Sequence, residues 1–204
     1  MVRKYLLLLV LVLAGNAAFP KDKLVTWDAP EGAALNNDFS VKVRQQGGEW
    51  KTLSTYLIKV RETKHQVEKA SMVTFDFSGT VEVAVTYNCG QMNTARVRPL
   101  SYDIPFKIKN NTVTFSLDHP KNLSVEINGD IFHNLHLFTN QPEEVVPDKN
   151  NPNVLYYGPG IHSFENGELK VPSGKTVYLA GGSVLMGRVV MDKVNNVKLI
   201  GRGI

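Results

Sequence analysis

Cysteine is nearly missing: Cys89 stands alone in 204 residues, which excludes a disulfide framework and leaves packing to stabilise the fold. With no neighbouring residues that suggest an activating pair, it reads as a small buried side chain at a strand end rather than a nucleophile. Long apolar runs are missing too. The stretch from Tyr5 to Leu13 is short of the roughly 20 residues that a spanning helix needs, which argues against a permanent membrane anchor. The 23 Lys and Arg exceed the 19 Asp and Glu, but they are scattered singly. No basic run tracks a phosphate backbone, and nucleic acid is excluded as a partner. Helical periodicity is almost absent, which leaves strands as the building element.

What the chain does contain is ordered along its length. Arg3 and Lys4 precede the apolar stretch, and Ala14, Gly15, Ala17 and Ala18 follow it. This is the layout of a secretory signal over residues 1–18, with cleavage near Ala17 or Ala18 and export of the mature protein to a secreted or periplasmic location. Residues 19–138 are short β-rich segments cut by turns, the pattern of an antiparallel β-sandwich. Phe39 to Arg44 alternates, Gln45 to Gly48 turns, and Trp50 to Val60 returns. Val73, Phe75 and Phe77 share one face of their strand, and Val81, Val83 and Val85 share one face of the next. Strands are expected over Phe106 to Lys109, Thr112 to Leu117 and Leu123 to Ile127. Asn128-Gly129 is a hairpin signal, leading into a strand over Ile131 to Phe138 that packs Phe132, Leu135 and Leu137 inward, with a bulge near Asn134.

Residues 139–153 carry Pro142, Pro147 and Pro152 among polar residues and form a linker. Beyond it, residues 154–204 change character. Val177-Tyr178-Leu179-Ala180-Gly181 and Val197-Lys198-Leu199-Ile200-Gly201 share V-x-L-x-G at an offset of twenty residues. With short apolar triplets between the two copies, this is the layout of a parallel β-helix coil, and Asp192 to Asn196 is one of its corners. About three repeats are needed for such a stack to stabilise itself. Roughly one and a half are present, so the reading is an all-β chain with a truncated start of a β-helix.

Two stretches carry a family resemblance. Asp118-His119-Pro120-Lys121-Asn122-Leu123 through Asp130, continuing over Phe132 to Phe138, is the first. Tyr157-Gly158-Pro159-Gly160-Ile161-His162, running on to Gly201-Arg202-Gly203-Ile204, is the second. Together they resemble dextranase-like and polygalacturonase-like glycoside hydrolases over about Pro99 to Ile204. The resemblance implies an N-terminal β-sandwich, the start of a right-handed parallel β-helix of the pectin-lyase-like kind, and a polysaccharide substrate for the whole enzyme. It also implies that the catalytic aspartates lie on later coils, so no catalytic residue is carried over. No cofactor is implied. A stand-alone carbohydrate-binding module and a surface adhesion protein are the alternatives, and a lyase on the same architecture is a variant.

Glycoside cleavage requires two carboxyl groups flanking the scissile bond. Glu165 and Glu168 are close in sequence and Asp192 lies at a corner, but Glu165 to Glu168 reads as a solvated turn. His133 and His136 are three apart and so face opposite ways on a strand, which argues against a metal pair. With His119 and His162 they read as hydrogen-bonding residues, one of them joining Asn134 in satisfying backbone groups. Gly181-Gly182 and Gly201-Arg202-Gly203 have neither a following helix nor a Lys-Ser/Thr pair, so they are corners rather than phosphate loops. Trp27, Trp50, Tyr56, Tyr156 and Tyr157 are the candidates for stacking on sugar.

Overall fold

The computed structural model describes residues 22–63 and 66–204. The leader expected over residues 1–18 lies outside them. Among the described residues no helix is long and apolar enough to cross a membrane. The first eleven strands are β1 (Lys23–Val25), β2 (Phe39–Gln45), β3 (Lys51–Leu53), β4 (Tyr56–Glu62), β5 (Val67–Ser78), β6 (Val81–Tyr87), β7 (Ala95–Arg98), β8 (Phe106–Lys109), β9 (Thr112–Leu117), β10 (Leu123–Ile127) and β11 (Leu135–Asn140). Five more follow: β12 (Val154–Tyr157), β13 (Gly160–Lys170), β14 (Thr176–Leu179), β15 (Ser183–Val190) and β16 (Lys198–Gly201).

Alternation sorts the first eleven strands into two sheets that share one core. One sheet runs β3-β2-β6-β9-β8, and the other β1-β5-β11-β10-β7 with β4 also paired to β5. From the first sheet Val41, Val43, Val83, Val85, Val113 and Phe115 point inward; from the second come Val73, Phe75, Phe77, Val125, Leu135 and Leu137. Each such side chain contributes roughly 1.5–3 kcal/mol through removal from water. Glycine at position 79, with φ +75°, turns the chain at the corner where it leaves β5 in one sheet for β6 in the other. The return expected after Gly48 divides likewise: β3 stays beside β2, while β4 crosses over to β5.

Several expectations are corrected. The first eleven strands are not wholly antiparallel, since β11 runs parallel to β5 from Leu135 opposite Ser71 to Asn140 opposite Asp76. A hairpin forces adjacent strands to alternate in direction, but β11 reaches β5 by a long path and is free of that constraint. Asn128-Gly129 does not close a two-residue hairpin, because Val125 pairs with Leu135 and leaves a wide loop between. The Asn128 side chain instead accepts from the Asn93 and Thr94 amides and donates to the Gln91 carbonyl, pinning a neighbouring loop. The strand expected from Ile131 therefore starts at Leu135, and Phe132 is only partly buried beneath the Arg61 guanidinium. It also runs through Asn140, two residues into the expected linker. Cys89 is exposed, not buried, and its thiol donates to the Asp38 carboxylate at 3.2 Å.

The last five strands are parallel. β12, β14 and β16 form one ladder and β13 and β15 another, enclosing Leu169, Val171 and Val177 with Tyr157, Phe164 and Leu179 against them. Val177 pairs with Leu199, so the V-x-L-x-G copies lie two residues out of register in that ladder, at an offset of 22, whereas in the other ladder Gly160 pairs with Ser183 and Glu168 with Arg188, at offsets of 23 and 20 across a bulge. Between 20 and 22 in the first ladder, a slip of two leaves every side chain on its own face, so alternation cannot separate them. Backbone hydrogen bonding decides.

Candidate functional site at the seam

The outward face of β5 meets the outward face of the parallel ladder. Phe75 and Phe77 point into the core, which turns Asp76 the other way, toward the coils. There it is 1% exposed. Arg202, on the corner after β16, donates from Nε to Asp76 Oδ2 at 2.7 Å and from Nη2 to the Gln141 carbonyl at 2.9 Å. Its Nη1 lies 3.9 Å from Glu143. The corner is tight because Gly201 has φ +128° and a side chain there would collide with the Leu179 carbonyl. That carbonyl accepts from both the Arg202 and Gly203 amides. Glu143 in turn accepts from the Tyr178 hydroxyl at 2.8 Å.

Burial is the larger influence on Asp76 and raises its pKa, while Arg202 and the Asn140 side chain pull it back. Its Oδ1 is buried without a hydrogen bond of ordinary geometry, although the Asn140 amide is close enough to favour the charged form. The Tyr178 phenol is pushed well above its ordinary value by burial and then by Glu143. Beside this network is a cavity of about 340 Å³, lined by Trp27, Tyr156, Tyr178, Asp76, Glu143 and Lys23 among others. Trp27 lies on Gly181, where even a Cβ would sit 2.0 Å from the indole. The Tyr156 and Tyr178 rings are 5.1 Å apart at 34°.

Among the five aromatic candidates, the structure thus brings Trp27 and Tyr156 together. Trp50 lies under the Arg44 guanidinium at 4.4 Å, Tyr56 is buried, and Tyr157 packs edge-on against Phe164 inside the coil. The carboxylates expected near β13 do not converge into a site. Glu168 is paired with Arg188, which holds its carboxyl below the usual range, while Glu165 and Asp192 are exposed. Gly182 and Gly201 stand at corners with positive φ, as expected. Sequence reasoning missed Asp76, Glu143 and Tyr178, and Arg202 was read only as part of a corner. One signal was available, a carboxylate inside the alternating run Val73 to Phe77.

The histidines are dispersed. His162 Nε2 donates to the Gly158 carbonyl at 2.7 Å, and His136 stacks on Phe138. His119 pairs with Asp118 at 2.6 Å. Asn134 donates to the Ile131 carbonyl and its own carbonyl accepts from Ser71, the backbone role expected of it. Among the described residues no group of three His, Cys, Asp or Glu is placed to hold a metal ion. His133 bridges Asp130 at 2.9 Å and the buried Glu68 at 3.2 Å. The Asp130 hydrogen bond leads in raising its pKa above 6.5, with Glu68 and Asp38 adding to it. A raised histidine contributes stability fully below its unfolded value, and loses it as pH rises through the folded one. The melting temperature is therefore expected to fall more between about pH 6 and pH 8.5 in the native chain than in His133→Gln. Parallel curves would show that the clamp contributes nothing.

No family model matches this chain, and no curated protein does. Among solved structures, Dex49A from Penicillium minioluteum is similar in fold, with a TM-score of 0.60 and 14% sequence identity over 88% of this chain. The chain spans 49% of that structure's length.

Proposed function

We propose that this chain is the non-catalytic N-terminal part of an exported, polysaccharide-degrading glycoside hydrolase. In this reading a β-sandwich is clamped to the first coils of a right-handed parallel β-helix. The observation that carries it is the seam: a buried ion pair between Asp76 and Arg202 fixes the two-sheet unit to the start of a parallel ladder. The resemblance to dextranase-like hydrolases and the fold likeness to Dex49A point the same way. Leu199 and Ile200 on β16 are 48% and 45% exposed, which suits the landing of a further coil. Ile204 already exchanges backbone hydrogen bonds with Ser183 and Leu185 of β15, the opening of another rung.

Among the described residues, the carboxylates at the seam are taken up by Arg202 and the Tyr178 hydroxyl and are not left free as a hydrolytic pair. Asp76 has the raised pKa an acid would want, yet it is 1% exposed and engaged by Arg202. The purified chain is accordingly expected to release no new reducing ends from dextran or polygalacturonate above a boiled control. Release above the control would overturn the reading. A native gene that stops after codon 204 would also overturn it, whereas further coils followed by closely spaced aspartates would support it.

A further inference from the structure

We propose that the cavity at the seam is a binding subsite for a neutral hexose unit of a glycan chain. A sugar offers two surfaces, an apolar C–H face that packs on aromatic rings and a rim of hydroxyls that needs fixed hydrogen-bonding groups. The cavity supplies both. Trp27 and Tyr156 are partly exposed aromatic walls, and the Trp27 indole is held in place on the glycine at position 181. Rings already ordered lose little freedom on binding, which favours affinity. Glu143, fixed by the Tyr178 hydroxyl, and exposed Lys23 present an acceptor and a donor on the lining. Asp76 also borders the cavity but is 1% exposed, so it contributes negative charge there and not a contact.

The volume of about 340 Å³ is at the small end of ligand sites, which run from roughly 300 to 1,000 Å³ and so here suit one or two sugar rings. Charge sets the class. The lining sets two carboxylates, Asp76 and Glu143, against one ammonium, Lys23, which disfavours a uronate carboxylate, and Arg202, the nearest guanidinium, is already engaged by Asp76 and the Gln141 carbonyl. The occupant is therefore a neutral sugar. This goes beyond the proposed role as the non-catalytic part of a hydrolase, which stands or falls on further coils and on hydrolysis, not on this site.

The test uses the whole chain carrying Trp50→Phe, so that Trp27 is the remaining tryptophan. Its fluorescence is titrated with neutral gluco-oligosaccharides and, separately, with oligogalacturonate. A saturable change with the neutral series, at a Kd of roughly 1 mM, is expected, with none from the acidic one. Tyr156→Ala should weaken binding by about tenfold. If Tyr156→Ala does not fold, as judged by near-UV circular dichroism, Glu143→Gln decides, with a several-fold loss expected. No saturable change, equal or tighter binding of the uronate, or unchanged binding in the folded variants would each overturn the proposal.

Discussion

Arg202→Met is expected to destabilise the union of the two units by about 3–5 kcal/mol near neutral pH, because it strands a buried carboxylate without its partner. The loss should be visible in urea unfolding as early release of the parallel coils while the two-sheet unit persists. Its pH dependence has a definite sign. The folded pKa of Asp76 lies above its ordinary 3.8 because burial outweighs Arg202. Ionised Asp76 therefore costs stability as pH rises through the folded value, and the cost vanishes once the group is protonated. Without Arg202 that cost grows, so the gap between variant and native should be wide near pH 8 and narrow toward pH 4. The double variant Asp76→Asn with Arg202→Met should recover most of the loss, since an amide needs no counter-charge. A single variant as stable as the native chain at pH 8 would show that the ion pair does not hold the seam.

Phe75→Ala is expected to be as damaging, by about 3–5 kcal/mol, but elsewhere. Phe75 is fully buried, and its ring is 5.8 Å from that of Phe77 in the core shared by both large sheets. The deletion removes contacts with both layers and leaves a void that rigid β-strands close only partly. The melting transition of the two-sheet unit should drop by roughly 10 °C. Here the seam variant and the core variant make opposite predictions: one should separate two transitions, the other should lower the first unit's own. A shift of less than about 2 °C for Phe75→Ala would mean that the core is not the cooperative unit described.

Much of the fold was legible because strands have a period of two. Val73 to Phe77 and Val81 to Val85 alternate so regularly that inward residues could be named before any pairing was known. The strands Phe106–Lys109, Thr112–Leu117 and Leu123–Ile127 fell where turn residues placed them. Pairing was harder. Nothing local distinguishes a β10 that makes a two-residue hairpin from one that makes a wide loop, or fixes the register at which Val177 meets the next strand.

The site was least legible. Trp27, Asp76, Glu143, Tyr156, Tyr178 and Arg202 line or border one cavity, yet Asp76 and Arg202 are 126 residues apart. Residue type marked Trp27 and Tyr156, but it marked Trp50, Tyr56 and Tyr157 equally, and those went to a cation contact, the interior and the coil core. The sequence by itself determined the β-rich character and the inward faces of its most regular strands, because these follow from side-chain alternation. The tertiary structure alone decided strand partners, coil spacing and the seam, because these depend on hydrogen bonds and charges between segments remote in the chain.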